Sequence, residues 1–299
     1  MLSHSIFRLI CVSLCALATG EAYNGGFLAQ PASAPGCRVN GELTRIRELP
    51  EASGVAASRR TRGVFWAHND SGAPLLVALN QNGKVTGRVR VAGAKVDDWE
   101  DIAVGPCPEG SCIYIADIGD NSGSRDRMTI YRVAEPTPDE ATTRTVEIFH
   151  AAYPDGAHDA EALFVTPESD VFIITKGDPG PIALYRFPPL RAGATLRLER
   201  VGETAGGTKV EGRDRPTAAD VSPDGAWVAV RTTGWVAFHR TSDLTKGQWR
   251  EAFRTNLSSL REPRGEGITF AADGTVILVG EGGFSGPGTF ARLQCTWPR

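Results

Sequence analysis

The chain has 299 residues, and its 32 Lys and Arg against 35 Asp and Glu give a formal net charge of −3. This near-neutral balance provides no electrostatic basis for a nucleic-acid or anionic-membrane partner, so neither is expected. Hydrophobic residues make up 41% of the chain, enough for a substantial core, and its 34 Gly and 19 Pro suit many tight turns.

The N-terminus is predicted to be an export signal. Arg8 precedes an apolar run from Leu9 to Ala18, and small residues suitable for cleavage follow, so residues 1–22 are interpreted as a signal peptide. The run is too short to cross a bilayer, and no transmembrane segment is expected after its removal. Residues 23–36 form a Gly/Ala/Pro-rich flexible leader. We therefore expect a secreted, periplasmic or cell-envelope protein.

Four cysteines remain after the signal is removed, namely Cys37, Cys107, Cys112 and Cys295. An even number in an exported chain favours disulfides over metal thiolates. Cys107 and Cys112 flank the turn sequence "PEGS" between two strands, which predicts that they pair with each other.

The rest of the chain, residues 37–299, repeats one pattern five times. Each unit has a small or acidic pair, an apolar strand, a turn and a second apolar strand, as in "DWEDIAVG" followed by "CIYIADIGDN". Third and fourth strands rich in β-branched and aromatic residues follow in most units. The equivalent positions near the start of each unit are taken to be Ser53, Glu100, Glu161, Ala219 and Glu266.

This spacing predicts an all-β fold, a single β-propeller of five four-stranded blades. Six blades are the alternative, if a degenerate unit lies after Glu135 or Glu203. The fifth unit lacks an outer strand, and an unassigned strand spans Cys37 to Leu49, so we expect the N-terminal strand to close the ring. A Cys37–Cys295 disulfide would then join the two ends, unless these cysteines stay free or pair elsewhere.

Many polar residues are predicted on one face of the propeller, because loops that enter inner strands and loops that leave second strands share a face. The entering loops carry Asp97, Asp98, Glu100, His158, Asp159, Glu161, Asp214, Asp220 and Glu266. The leaving loops carry His68, Asn69, Asp70, Asp117, Asp120, Asn121, Lys176, Asp178, Arg231 and Glu281. Turn residues such as "SPDG" and "AADG" lie on the opposite face, where tight-turn geometry explains them.

Three glutamates are expected nearest the channel: Glu100, Glu161 and Glu266. Carboxylates around one axis repel each other and raise each other's pKa unless a cation lies among them. Oxygen ligands without cysteine or dense histidine favour Ca²⁺ over Zn²⁺. The alternative is that Lys176 and Arg231 compensate the charge, so that no metal is needed.

The motifs "HNDSG", "DWEDIA", "DIGDN", "DAEAL" and "VSPDG" resemble a group of uncharacterised secreted bacterial propellers over about the whole mature chain. More distantly, the arrangement is similar to calcium-dependent propellers such as the gluconolactonase/regucalcin family, β-propeller phytases and phytase-like esterases. The resemblance implies Ca²⁺ at the channel mouth, held by Glu100, Glu161 and Glu266, with Asn69 and Asp117 from adjoining loops. Ser53 and Ala219 depart from the pattern that would complete the ring of ligands.

Two functions follow, and the sequence leaves open whether the protein is an enzyme. The first is a monomeric binding propeller whose acidic face takes a small-molecule ligand or a protein partner. The alternative is a Ca²⁺-dependent hydrolase of an ester, lactone or phosphoester. Its general base would come from a set of four residues, Asp98, Asp159, His68 and His158. Its substrate would be held by Lys176, Arg231, Asp120 and Asn121.

Overall fold

The computed structural model describes residues 34–178, 180–205, 210, 212–284 and 286–298. The signal peptide predicted over residues 1–22, and most of the leader predicted over residues 23–36, lie outside the described residues. Residues Ala34 to Arg299 belong to one compact unit. No helix among the described residues is long and apolar enough to cross a membrane.

The unit is a ring of five antiparallel sheets. The first two strands of the chain, β1 (Gly36–Val39) and β2 (Thr44–Ile46), belong to the last sheet. Blade 1 comprises β3 (Ala52–Ala57), β4 (Phe65–Asn69), β5 (Leu75–Leu79) and β6 (Val85–Arg90). Blade 2 comprises β7 (Trp99–Cys107), β8 (Gly110–Asp117), β9 (Met128–Ala134) and β10 (Val146–Ala152).

The remaining blades follow in chain order. Blade 3 comprises β11 (Ala160–Val165), β12 (Val171–Thr175), β13 (Ala183–Arg186) and β15 (Glu199–Glu203). Blade 4 comprises β16 (Pro216–Val221), β17 (Trp227–Thr232), β18 (Trp235–Arg240) and β19 (Glu251–Asn256), with a short helix α1 (Thr241–Leu244) before its last strand. Blade 5 comprises β20 (Arg264–Phe270), β21 (Val276–Glu281) and β22 (Gly288–Thr296), completed by β1 and β2.

These sheets confirm the five-bladed fold. The inner strands β3, β7, β11, β16 and β20 contact one another in a closed ring around the channel. The two long connections in which a sixth blade was considered contain no additional sheet within the described ranges. The outer edge of blade 3 is split: β15 pairs with β13 of the same blade, whereas β14 (Thr195–Arg197) pairs in parallel with β10 of blade 2. That split strand ties two neighbouring blades together.

Ring closure occurs as predicted. Strand β1 pairs antiparallel with β22, and the register places Cys37 opposite Cys295, which form a disulfide. Cys107 and Cys112 form the second disulfide, across the β7–β8 turn. That turn needs a left-handed residue, and Gly110 supplies it with a φ of 99°. Two intact disulfides suit an oxidising compartment.

The hydrophobic core lies between the faces of neighbouring blades. Trp66 of blade 1 and Trp99 of blade 2 are fully buried in one such layer with Leu76, Ile113 and Ile115. Each indole N–H is satisfied, Trp66 donating to the Glu135 carboxylate at 3.2 Å and Trp99 to the Lys95 carbonyl at 2.8 Å. These two tryptophans therefore pack between blades and do not face a ligand.

Candidate functional site

A β-bulge recurs near the start of every inner strand. In each case the register with the second strand shifts by one residue, at Ser53, Glu100, Glu161, Thr217 and Glu266. A bulge leaves one residue unpaired and re-aims its side chain. The five blades thus present Ser, Glu, Glu, Thr and Glu at corresponding points of the channel mouth. We name this set, together with Asp98, Asp159 and Lys176, the acidic mouth.

The bulges correct one predicted equivalence. Blade 4 contributes Thr217, because Ala219 lies two residues further along β16 and pairs regularly with Val230. The two hydroxyl-bearing members link adjacent blades: Ser53 Oγ donates to the Glu100 carbonyl at 2.6 Å, and Thr217 Oγ1 to the Glu266 carbonyl at 2.9 Å. The two residues that replace glutamate in the set, Ser53 and Thr217, therefore hydrogen-bond to the backbone of a glutamate in the next blade.

Glu100 and Asp98 form a close pair of carboxylates. A Cβ added to Gly119 would clash with both Asp98 Oδ2 and Glu100 Oε1, so both oxygens converge on one point above this glycine. Burial, followed by the charges of Glu161 and Asp98, raises the pKa of Glu100 well above its ordinary value. Burial and the charge of Asp159 likewise raise the pKa of Asp98. Glu100 and Asp98 are both partly exposed, so the pair opens toward solvent.

Lys176, which follows β12, neutralises the blade 3 side of the mouth. Its ammonium contacts the Glu161 carboxylate closely and lies 3.1 Å from Asp159 Oδ2. Although burial opposes the effect, these two carboxylates raise the pKa of Lys176, which stays charged. Asn121 Oδ1 accepts a longer hydrogen bond from the same ammonium at 3.4 Å. Lys176, Asp159, Glu161 and Asn121 thus lie together, as the sequence predicted for one face.

Glu266 is partnered by a residue that the sequence did not single out. Arg264 Nε lies 3.0 Å from Glu266 Oε1, and Arg264 also contacts Glu281 at 3.1 Å. Burial, and then the charge of Glu161, still raises the pKa of Glu266 well above its ordinary value. Arg264 is two residues from Glu266 on the same strand, and an i, i+2 charge pair at a strand start is a signal that could have identified it.

Asp117 and Asp120 hold loops rather than face the channel. Asp117 is buried, accepts the backbone N–H groups of Asp97 and Asp98 at 3.2 Å, and pairs with Arg125 at 2.8 Å. Asp120 accepts the backbone N–H groups of Ser124 and Arg125 at 3.0 and 2.8 Å. These hydrogen bonds outweigh desolvation and lower the pKa of Asp120. Asn69 Oδ1 similarly accepts the Glu51 N–H at 3.1 Å.

Arg231 lies outside the acidic mouth, and so do His68 and His158. Arg231 is fully buried and donates to the carbonyls of Gly267 and Val279 and to Glu262, so its guanidinium has no exposed surface for a substrate. The compensating cations at the mouth are therefore Lys176 and Arg264.

The histidines have separate environments. His68 is fully buried edge-on against Trp99, and burial lowers its pKa to about 4. His158 Nε2 lies 3.1 Å from Asp155 Oδ1 and 3.0 Å from the Tyr185 hydroxyl, next to Tyr153.

Asp101 is the main residue that the sequence analysis missed. It follows the bulge residue of blade 2 and is completely buried. Its Oδ2 accepts hydrogen bonds from the N–H groups of Leu163 in blade 3 at 2.9 Å and of Ala219 in blade 4 at 3.1 Å. Its Oδ1 accepts a hydrogen bond from the N–H group of the next residue, Ile102, at 2.9 Å. One carboxylate thereby joins three blades across the channel axis, beneath the acidic mouth.

The donors of the mouth suit a hard cation, although they do not form a closed cage. Among the described residues, ligand atoms of three His, Cys, Asp or Glu lie within 4.8 Å of one another only at Cys107, Glu109 and Cys112, where a disulfide consumes both thiols. The fit to Ca²⁺ rests on the converging Asp98 and Glu100 oxygens, because Ca²⁺–oxygen distances of about 2.3–2.6 Å allow one ion to contact both.

No family model matches the chain, and no curated protein matches it by sequence. Its fold is similar to solved structures of low identity. The PQQ-bound aldose sugar dehydrogenase from Streptomyces coelicolor has a TM-score of 0.53 at 12% identity, covering 89% of this chain and 100% of that one. The soluble aldose sugar dehydrogenase from Escherichia coli has a TM-score of 0.51 at 10% identity, covering 87% and 100%.

A gluconolactonase from Xanthomonas campestris has a TM-score of 0.47 at 13% identity, covering 90% of this chain and 99% of that one. At these identities the similarity to the two dehydrogenases shows the fold alone, which is a β-propeller.

Proposed function

We propose that the acidic mouth binds a divalent cation, with Ca²⁺ as the ion best suited to its oxygen donors, and presents it to a small-molecule ligand or protein partner. The observation that carries this proposal is the Asp98–Glu100 pair. Two carboxylates converge over Gly119, and the Glu100 carboxylate has no hydrogen bond or ion pair within the described part of the chain. Two closely spaced, half-buried negative charges are costly unless a cation compensates them.

The other residues of the mouth support this role. Lys176 fixes Glu161 and Asp159, and Arg264 lies against Glu266, so Glu100 and Asp98 are the acids left to take a further positive charge. Ser53 holds the backbone of Glu100 in place through its carbonyl. We further propose that the protein is exported, since its two disulfides suit an oxidising compartment, and that it acts as a monomer.

Calcium binding to chelator-treated protein tests the proposal by calorimetry and thermal melting. Ca²⁺ at about 100 times its Kd should raise the melting midpoint by roughly 5 °C for a domain of this size. Glu100→Gln should abolish the shift, whereas Glu168→Gln, an exposed turn acid on the opposite face, should retain it. No calcium-dependent shift in the wild-type protein would rule out the cation site.

Proton release gives an independent measurement. Because the pKa of Glu100 and of Asp98 is raised, protons compete with the cation, and binding should weaken as the pH falls. Calorimetry in buffers of different ionisation enthalpy should therefore detect protons released on binding. Calcium affinity that is independent of pH between 5 and 8 would contradict the assignment of these two carboxylates as ligands.

A hydrolase acting on an ester, lactone or phosphoester is the second candidate function, and the environment of Asp98 favours it. A partly exposed carboxyl with a raised pKa, beside a second carboxylate, suits general acid or base catalysis. A bound divalent ion would polarise the substrate oxygen. A substrate screen of wild type, Asp98→Asn and Glu161→Gln tests this function, and activity retained in both variants would place any active site elsewhere.

A further inference from the structure

The face opposite the acidic mouth contains a cavity of about 930 Å³. Its lining includes Val104 and Asp220 of the inner strands β7 and β16, and Asn40 and Gln294 of blade 5. Asp220 was expected on the acidic face, but it stands near the end of β16 and therefore opens on this side. We call this space the basic cavity, for the arginines that line it.

Four arginines line the basic cavity: Arg59, Arg60, Arg62 and Arg292. The first three belong to the β3–β4 loop, "SRRTRG", and Arg292 belongs to β22. Arg60 Nη1 donates to the Glu135 carbonyl at 2.8 Å. Within the described part of the chain, the guanidinium groups of the other three form no hydrogen bond or ion pair.

The loop that carries these arginines has a rigid base. Glu135 is buried, and its carboxylate accepts from the Ser58 hydroxyl, from Ser111 Oγ at 2.6 Å and from the Trp66 indole at 3.2 Å. Ser58 Oγ in turn accepts the Thr61 N–H at 2.7 Å. The loop is therefore held from below while its guanidinium groups remain available, an arrangement that suits recognition of carboxylate or phosphate groups.

Polar acceptors accompany the arginines. Asp220 Oδ2 accepts Thr269 Oγ1 at 2.7 Å and the Phe270 N–H at 2.9 Å, and Asp273 stands in the β20–β21 turn. Burial raises the pKa of Asp220 to about 6, so at pH 7.5 it is mainly an ionised acceptor. A ligand that carries only negative groups would be repelled by these two acids, whereas hydroxyl groups would donate to them.

We propose that the basic cavity binds an acidic oligosaccharide, whose carboxylates pair with Arg59, Arg62 and Arg292 and whose hydroxyls donate to Asp220. A carbohydrate with uronic-acid units provides both kinds of group along a short chain. A cavity of about 930 Å³ has room for several sugar units. A polyglutamate peptide offers carboxylates, but its only other donors are backbone N–H groups, so it is the less suitable partner.

Calorimetry at low ionic strength with trigalacturonic acid tests the proposal. We expect measurable binding to the wild-type protein, and at least about tenfold weaker binding to Arg59→Gln and to Arg62→Gln, since charge-assisted hydrogen bonds each exceed the energy of one tenfold step. The control is Arg191→Gln, an exposed arginine outside the cavity that should leave affinity unchanged. The methyl ester of the trisaccharide should bind weakly, because its charges are removed.

Three results would overturn the inference: no binding of the acidic trisaccharide at millimolar concentration, equal affinity for wild type and both arginine variants, or tighter binding of hexaglutamate than of the trisaccharide. The test is independent of the acidic mouth. Glu100→Gln should bind the trisaccharide as the wild type does, so failure of the cation site and failure of the basic cavity are distinguishable.

Discussion

Replacing Asp101 by alanine should loosen the contacts among three blades. Asp101 Oδ2 accepts the N–H groups of Leu163 and Ala219, from two other blades, and the residue is fully buried. Each buried N–H left without an acceptor costs about 1–3 kcal/mol, giving about 2–6 kcal/mol for the two. Burial raises the pKa of Asp101 well above its ordinary value, so losing a buried acid offsets part of this cost. We therefore expect a net loss of about 2–4 kcal/mol.

Urea unfolding monitored by tryptophan fluorescence measures this loss, with Asp126→Ala, an exposed acid, as the matched control. Asp101→Asn should cost less, about 1–2 kcal/mol, because its carbonyl can still accept both N–H groups while its amide opposes the Ile102 N–H. Amide exchange at Leu163 and Ala219 should accelerate in the alanine variant. A change in unfolding free energy below about 1 kcal/mol for Asp101→Ala would refute the bridging role.

Three further predictions concern stability. Replacing both Cys37 and Cys295 by serine should lower the unfolding free energy measured by calorimetry by up to about 5 kcal/mol. The two cysteines are 258 residues apart, and a crosslink that closes so long a loop strongly reduces the entropy of the unfolded chain. Burial lowers the pKa of His68 to about 4, so between pH 6.5 and 4 mainly the unfolded chain takes up the proton. The unfolding free energy should therefore fall by about 3 kcal/mol over this range. His68→Gln should flatten this pH dependence in urea titrations. Glu262→Gln should lower the unfolding free energy by about 3–5 kcal/mol, because the buried Arg231 charge would lose its ion-pair partner. A loss below about 1 kcal/mol would contradict a stabilising role for that ion pair.

The architecture could be predicted because it depends on repeated local patterns. Alternating apolar strands and turns define four strands per blade, and the missing outer strand of the fifth unit predicts closure by the N-terminus. The pairing of Cys37 with Cys295 followed from that closure and is confirmed. The pairing of β14 with β10 of the neighbouring blade was not predicted. A short polar strand carries no signal for its partner.

The candidate site was only partly predictable, because bulges shift the register. A one-residue bulge in each inner strand moves the mouth position of blade 4 from Ala219 to Thr217. The role of Asp101 depends on backbone groups of two distant units, which no local pattern encodes. One signal was available: the position after the bulge is Gly or Ala in the other blades, and only blade 2 has an acid there.

The pairing of β1 with β22 makes the last strand of the chain necessary for the first. During synthesis from the N-terminus, β1 stays an unpaired edge until β22 of blade 5 has been made. Loop-closure entropy grows only slowly with length, so this delay adds little to the free energy of the finished ring. A chain truncated before Cys295 would keep a free thiol and an open edge for intermolecular pairing. The Cys37–Cys295 bond therefore forms only after blade 5 has been synthesised and has paired with β1.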